Sequence, residues 1–129
     1  MGDAVVMTPR LEIGIDCADP RGLAAFWAEA LGYRIGEGEG DPYLDLLPPD
    51  GTRPVVFLQR VPEPKRGKNR VHLDLYVDDP LPLLERLERL GARPVGEPVT
   101  DDGAFSFQVM ADPEGNELCV CQDTPGRPA

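Results

Sequence analysis

His72 is the only histidine in the chain, and Asp74 and Tyr76 follow it at alternate positions. If Arg70 to Asp79 is extended, imidazole, carboxylate and phenol share one face, with Val71, Leu73, Leu75 and Val77 on the other. An imidazole near its ordinary pKa can take or give a proton at neutral pH, and a neighbouring carboxylate can orient it. The same groups can ligate a divalent cation. The wet side of a half-buried strand has this composition too, so the row alone decides nothing.

The row has a counterpart earlier in the chain. Leu11 to Pro20 lies over Val71 to Pro80 with Asp19-Pro20 on Asp79-Pro80, which sets Glu12 on His72. Each copy continues into an apolar stripe at helical spacing and closes on Leu-Gly. The first stripe is Leu23, Phe26, Trp27, Ala30 and Leu31; the second is Leu83, Leu87 and Leu90. Asp19 and Asp79 are the expected N-caps, Pro20 and Pro80 the first helical residues, and Gly32 and Gly91 the closing residues. Three shorter extended stretches follow each helix: 33–36, 43–47 and 54–60, then 93–99, 104–110 and 116–122. Pro48 to Gly51 and Asp112 to Gly115 are turns. Glu37 to Pro42 is an acidic loop without phosphate-binding spacing.

The chain therefore reads as one strand-helix-strand-strand-strand unit written twice. The first module spans 10–61 and the second 70–122, with a flexible leader over 1–9, a linker over 62–69 and a tail over 123–129. One helix covers only one face of its sheet, so an α+β pair of this kind should leave two uncovered faces around a cleft. Parity points Glu12, Gln59 and His72 into that space, with Asp74 and Tyr76 beside His72. Lys65, Arg66 and Lys68 of the linker, with Arg70 directly after it, read either as a solvated connection or as an anion-steering patch beside the cleft.

Thirteen basic against 23 acidic residues give a net charge of -10, which excludes nucleic acid and anionic membrane surfaces as natural partners. No apolar run is long enough to span a bilayer, and the N-terminus has no secretory pattern. Three cysteines, two of them at Cys119 and Cys121 on one expected strand, do not form a disulfide framework and suit a reducing, cytoplasmic setting. The single serine, Ser106, lies in an expected strand rather than a nucleophile turn.

The doubled module, each copy opened by a strand and Asp-Pro, resembles the vicinal oxygen chelate superfamily. The segments Ala24-Ala25-Phe26-Trp27, Lys68 to Leu75 and Asp112-Pro113-Glu114-Gly115-Asn116-Glu117-Leu118-Cys119 are similar to its glyoxalase-like domain subgroup. The resemblance covers residues 10 to 122. It implies the fold of the glyoxalase, bleomycin-resistance and dihydroxybiphenyl-dioxygenase proteins, with curved mixed sheets around a cleft.

It further implies a divalent metal (Zn, Mn, Ni or Fe) held by residues from the first and last strands of the modules. The matching positions are Glu12 and His72, with Gln59 in the first half. Cys119 stands where the family usually has a metal-binding glutamate, and Glu117, two residues earlier, shares its parity. His72, Glu12 and Glu117 are thus the implied metal set. His72 is the implied catalytic residue, and Glu12, Gln59, His72, Asp74, Tyr76 and Cys119 the ligand-binding set. Two functions fit: a metal-assisted lyase or isomerase acting on a small molecule, or a metal-free protein that sequesters an antibiotic or toxin. A homodimer is compatible with both.

Overall fold

The computed structural model describes residues 8–38 and 40–124. Most of the expected leader and tail, and residue 39 of the acidic loop, lie outside the described residues. The first half contains β1 (Glu12–Cys17), α1 (Pro20–Leu31), β2 (Arg34–Ile35), β3 (Tyr43–Leu47) and β4 (Val55–Arg60). The second contains β5 (Leu73–Val77), α2 (Pro80–Arg89), β6 (Arg93–Pro94), β7 (Val99–Asp101), β8 (Ala104–Ala111) and β9 (Glu117–Gln122). The first sheet has the order β1-β4-β3-β2 and the second β5-β9-β8-β6, with β7 paired to β8. In each, the opening strand runs parallel to the last strand and the remaining pairs are antiparallel. The protein is α+β, with one topology used twice.

Asp19 caps α1 as its sequence dictates: its carboxylate accepts from the Gly22 amide at 3.1 Å. Asp79 makes no such bond. The equivalent third helical position is Pro82, which has no N–H to donate. The second stripe is also shorter than expected. Leu83 and Leu87 are buried, but Leu90 has turned outward at the end of α2.

The expected strand over 93–99 is split in two. Gly96 takes a left-handed φ of 73°, and Pro98 cannot donate to a ladder, so β6 ends and β7 begins beyond it. The second sheet therefore has five strands rather than four. The opening strand of the second half is shorter too, starting at Leu73 rather than Arg70. Asn69 explains this. Its side-chain amide donates to the Glu117 carbonyl at 3.1 Å and its backbone amide to the Glu117 carboxylate at 3.3 Å. The linker thus satisfies the start of β9, and His72 is left just ahead of the strand.

The core lies between the sheets and their helices. Leu23, Phe26 and Trp27 of α1 pack with Leu46, Val56 and Leu58, and Leu87 of α2 with Met110, Leu118 and Val120. The halves are joined by the turn before β9. Asp112 is fully buried and accepts from Trp27 Nε1 at 2.8 Å, across the junction. Glu114 reaches the start of α1, accepting from the Ala18 and Asp19 amides at 2.6 and 3.0 Å. A carboxylate there also meets the positive end of the helix. Asn116 Nδ2 donates to the Asp16 carbonyl at 3.2 Å, and Arg86 of α2 pairs with Glu29 of α1 at 2.6 Å. Among the described residues no helix is long and apolar enough to cross a membrane.

Candidate functional site

Leu73, Leu75 and Val77 of β5 turn toward the core, so Asp74 and Tyr76 face away from the helix layer. Register then selects their neighbours: Asp74 lies beside Cys119, and Tyr76 beside Cys121, which in turn lies beside Phe107 of β8. These side chains line a cavity of about 450 Å³ on the open face of the second sheet. Phe105 and Phe107 give it an apolar wall. His72, freed from the ladder, folds over Asp74 and joins the lining, with Nε2 3.0 Å from Asp74 Oδ1.

Donor atoms of His72, Asp74 and Cys119 all lie within 4.8 Å of one another. Imidazole and carboxylate are both about half exposed, whereas the thiol is buried. Burial first, and the Asp74 charge second, push the Cys119 thiol up to about 11. Cys17, buried at the junction among Glu114, Asp112, Asp19 and Asp16, is pushed up to about 11 by the same causes. Both thiols hold their protons more tightly folded than unfolded. The native state therefore binds more protons between the ordinary thiol value of 9.0 and about 11, and stability falls as pH rises through that window. Urea midpoints followed across it are expected to drop for the native chain and to flatten in Cys17→Ala/Cys119→Ala. An equal drop in that variant would assign the effect to other groups. Among the described residues the three cysteines are buried and none is in a disulfide.

The other expected site residues stand apart. Glu12 pairs with Arg10. The Gln59 carbonyl accepts from the Cys17 thiol at 3.6 Å. Neither lines the His72 cavity. Glu117 is engaged by Lys68 at 3.1 Å, which holds its carboxyl below the usual range. The cavity adds residues that the sequence did not single out, notably Asp101 and Gln122. Asp101 was hidden because β7 carries no pattern of its own. The pairing of Asp74 with Cys119 was hidden because parity gives a face, not a register.

Solved structures of low identity share this fold. A glyoxalase/bleomycin resistance protein/dioxygenase family enzyme from Burkholderia phytofirmans PsJN is 17% identical with a TM-score of 0.69, covering 86% of this chain and 95% of that one. A glyoxalase-related enzyme from Fulvimarina pelagi is 16% identical with a TM-score of 0.68, over 91% of this chain and 89% of that one. The fosfomycin resistance protein FosX from Listeria monocytogenes, complexed with Mn(II) and a dihydroxypropylphosphonic acid, is 12% identical with a TM-score of 0.71, over 94% of each chain. No curated protein matches the chain. The family model for the glyoxalase-like domain matches residues 12–121, nearly the whole described fold, and the chain belongs to that family, within the vicinal oxygen chelate superfamily.

Proposed function

We propose that the chain binds a small organic molecule on the open face of its second sheet and works on it as a zinc-dependent enzyme of the glyoxalase-like type. The observation that carries this reading is the convergence of His72, Asp74 and Cys119 in one aromatic-walled cavity. A cavity of about 450 Å³ that sets the polar groups of His72, Asp74, Tyr76 and Asp101 against Phe105 and Phe107 has room and anchors for a metabolite-sized molecule.

The donor set fits zinc best. Nitrogen, oxygen and sulfur from three side chains leave one tetrahedral position open, the pattern of catalytic rather than structural zinc. Manganese, the ion in the FosX complex, and iron gain less from a thiol. The high pKa of Cys119 belongs to the cation-free pocket, since a coordinating thiol is deprotonated outright. When bound, zinc would polarise a carbonyl or hydroxyl oxygen of the substrate.

The chain's own residues do the rest. Asp74 fixes the His72 ring, Tyr76 offers a phenol on the same wall, and Phe105 and Phe107 cover the organic part of the molecule. In the cation-free cavity Nε2 is turned to Asp74 and the other ring nitrogen is the atom placed to move a proton; with zinc bound, His72 would serve as a ligand instead.

A metal-free sequestering protein is the second reading. It is favoured by the hydrogen bond between the Cys119 thiol and Asp74, which completes the cluster without a cation.

Both readings require an occupied cavity. A compound that stabilises the native chain in a thermal-shift screen, run with and without zinc, is expected to lose its effect in Ala104→Trp, which fills the exposed mouth of the site. Saturating ligand at about 100 times Kd adds about 2.7 kcal/mol, well within reach of the measurement. Equal stabilisation of Ala104→Trp, or none from any metabolite-sized compound, would remove the reading.

A further inference from the structure

We infer that a second cavity, between the two halves and beneath the linker, binds a small organic oxyanion: a carboxylate or phosphonate carrying an apolar body. This cavity holds about 310 Å³, and its rim carries Lys65, Arg66, Lys68 and Arg70. Only His72 is shared with the cavity described above, and the inference does not depend on that site's function.

The charge is out of character for the chain. Four of its 13 cations fall within six residues, although its net charge is -10. Lys68 pairs with Glu117 at 3.1 Å, and Lys65, whose ammonium donates to the Gly67 carbonyl, adds its charge to the same carboxylate. Among the described residues Arg66 and Arg70 make no ion pair. Against four cations the lining sets only Asp16 and Glu117, which leaves a local excess of two positive charges. Two guanidinium groups are planar forks suited to bidentate capture of a carboxylate or phosphonate.

The floor fixes the rest of the ligand. Ile13, Ile15, Trp27 and Leu73 supply apolar surface that a bare inorganic anion would leave wet. Size and charge exclude a polymer. The remaining acidic surface repels a polyanion, whereas a small anion feels mainly the cations within a Debye length of about 8–10 Å.

The test is an NMR titration of the full chain with phenylphosphonate, with sodium chloride at matched ionic strength as control. Saturable shifts are expected at the amides of the linker and of Asn116, with a parallel change in the emission of Trp27, the only tryptophan. Arg66→Ala/Arg70→Ala should weaken binding by at least about tenfold, the effect of losing one good charge-assisted hydrogen bond. Arg34→Ala/Arg53→Ala removes the same charge outside this cavity and should leave affinity within about twofold. Both pairs are exposed, so folding is preserved. Shifts that fail to saturate, that chloride reproduces, or that both double variants weaken equally would overturn the inference.

Discussion

Replacing Asp112 with alanine is expected to lower the unfolding free energy by about 3–5 kcal/mol, the largest effect of any polar substitution in this chain. The carboxylate is fully buried and accepts four hydrogen bonds. Oδ1 takes the Glu114 and Asn116 amides at 2.8 and 2.9 Å, and Oδ2 takes Trp27 Nε1 at 2.8 Å and Asn116 Nδ2 at 3.3 Å. Truncation strands the indole N–H inside the core and releases the turn whose Glu114 holds the start of α1. The halves would lose their registration as well as a bond.

The pKa of Asp112 is raised, because desolvation outweighs these donors. The sign follows: the native state holds this proton above the unfolded value, so the group opposes stability as pH rises past 3.8 and gives no acid lability. Its worth therefore lies in the bonds it organises rather than in its charge. Asp112→Asn separates the two. It keeps an acceptor for the two amides but turns an N–H toward Trp27, and should cost about 1–3 kcal/mol, less than alanine. Urea unfolding followed by Trp27 emission gives both values. An alanine variant within about 1 kcal/mol of the native chain would show that the junction is held by packing alone.

That role for Asp112 explains why the fold was more fully legible than the candidate site, of which His72, Asp74, Tyr76 and Cys119 come together while Glu12 and Gln59 do not. The Asp-Pro-Glu-Gly-Asn turn announces itself in sequence because four of its five residues have fixed roles: a buried carboxylate, a helix cap, a glycine at φ 93°, an amide on the neighbouring half. Helix stripes and strand parity were legible for the same reason, since each follows from one local period. The failures arose where two segments compete for the same hydrogen bonds. Asn69 took the bonds that would have extended β5, so His72 stands just ahead of the strand, although it still shares the Asp74 and Tyr76 cavity. Pro82 removed the donor that Asp79 would have capped. The space between the sheets likewise depends on how the junction sets their angle. Glu12 and Gln59 share parity with His72, yet neither reaches its cavity.

The second large effect is expected at the metal. Elemental analysis of protein purified without chelator should find zinc near one equivalent, and His72→Ala should weaken its binding by at least about 100-fold. Loss of an outer partner of a ligand typically costs 10–100-fold, so loss of one of three direct donors should exceed that. Cys119→Ser should weaken zinc while sparing manganese, because it exchanges the one soft donor for a hard one. Cobalt substitution reads the same bond directly: the native chain should show thiolate-to-cobalt charge-transfer absorption, and Cys119→Ser should not. Glu12→Ala should leave zinc affinity unchanged, since Glu12 is held by Arg10 and lies outside the His72 cavity. This variant separates a site built from the second sheet alone from one that bridges both halves. Zinc lost in Glu12→Ala and kept in Cys119→Ser would mean that the sheets close on a shared ion. Absence of zinc at stoichiometry, even after soaking with Zn, Mn, Ni or Fe, would leave the Asp74–Cys119 hydrogen bond as the resting state and favour the sequestering protein.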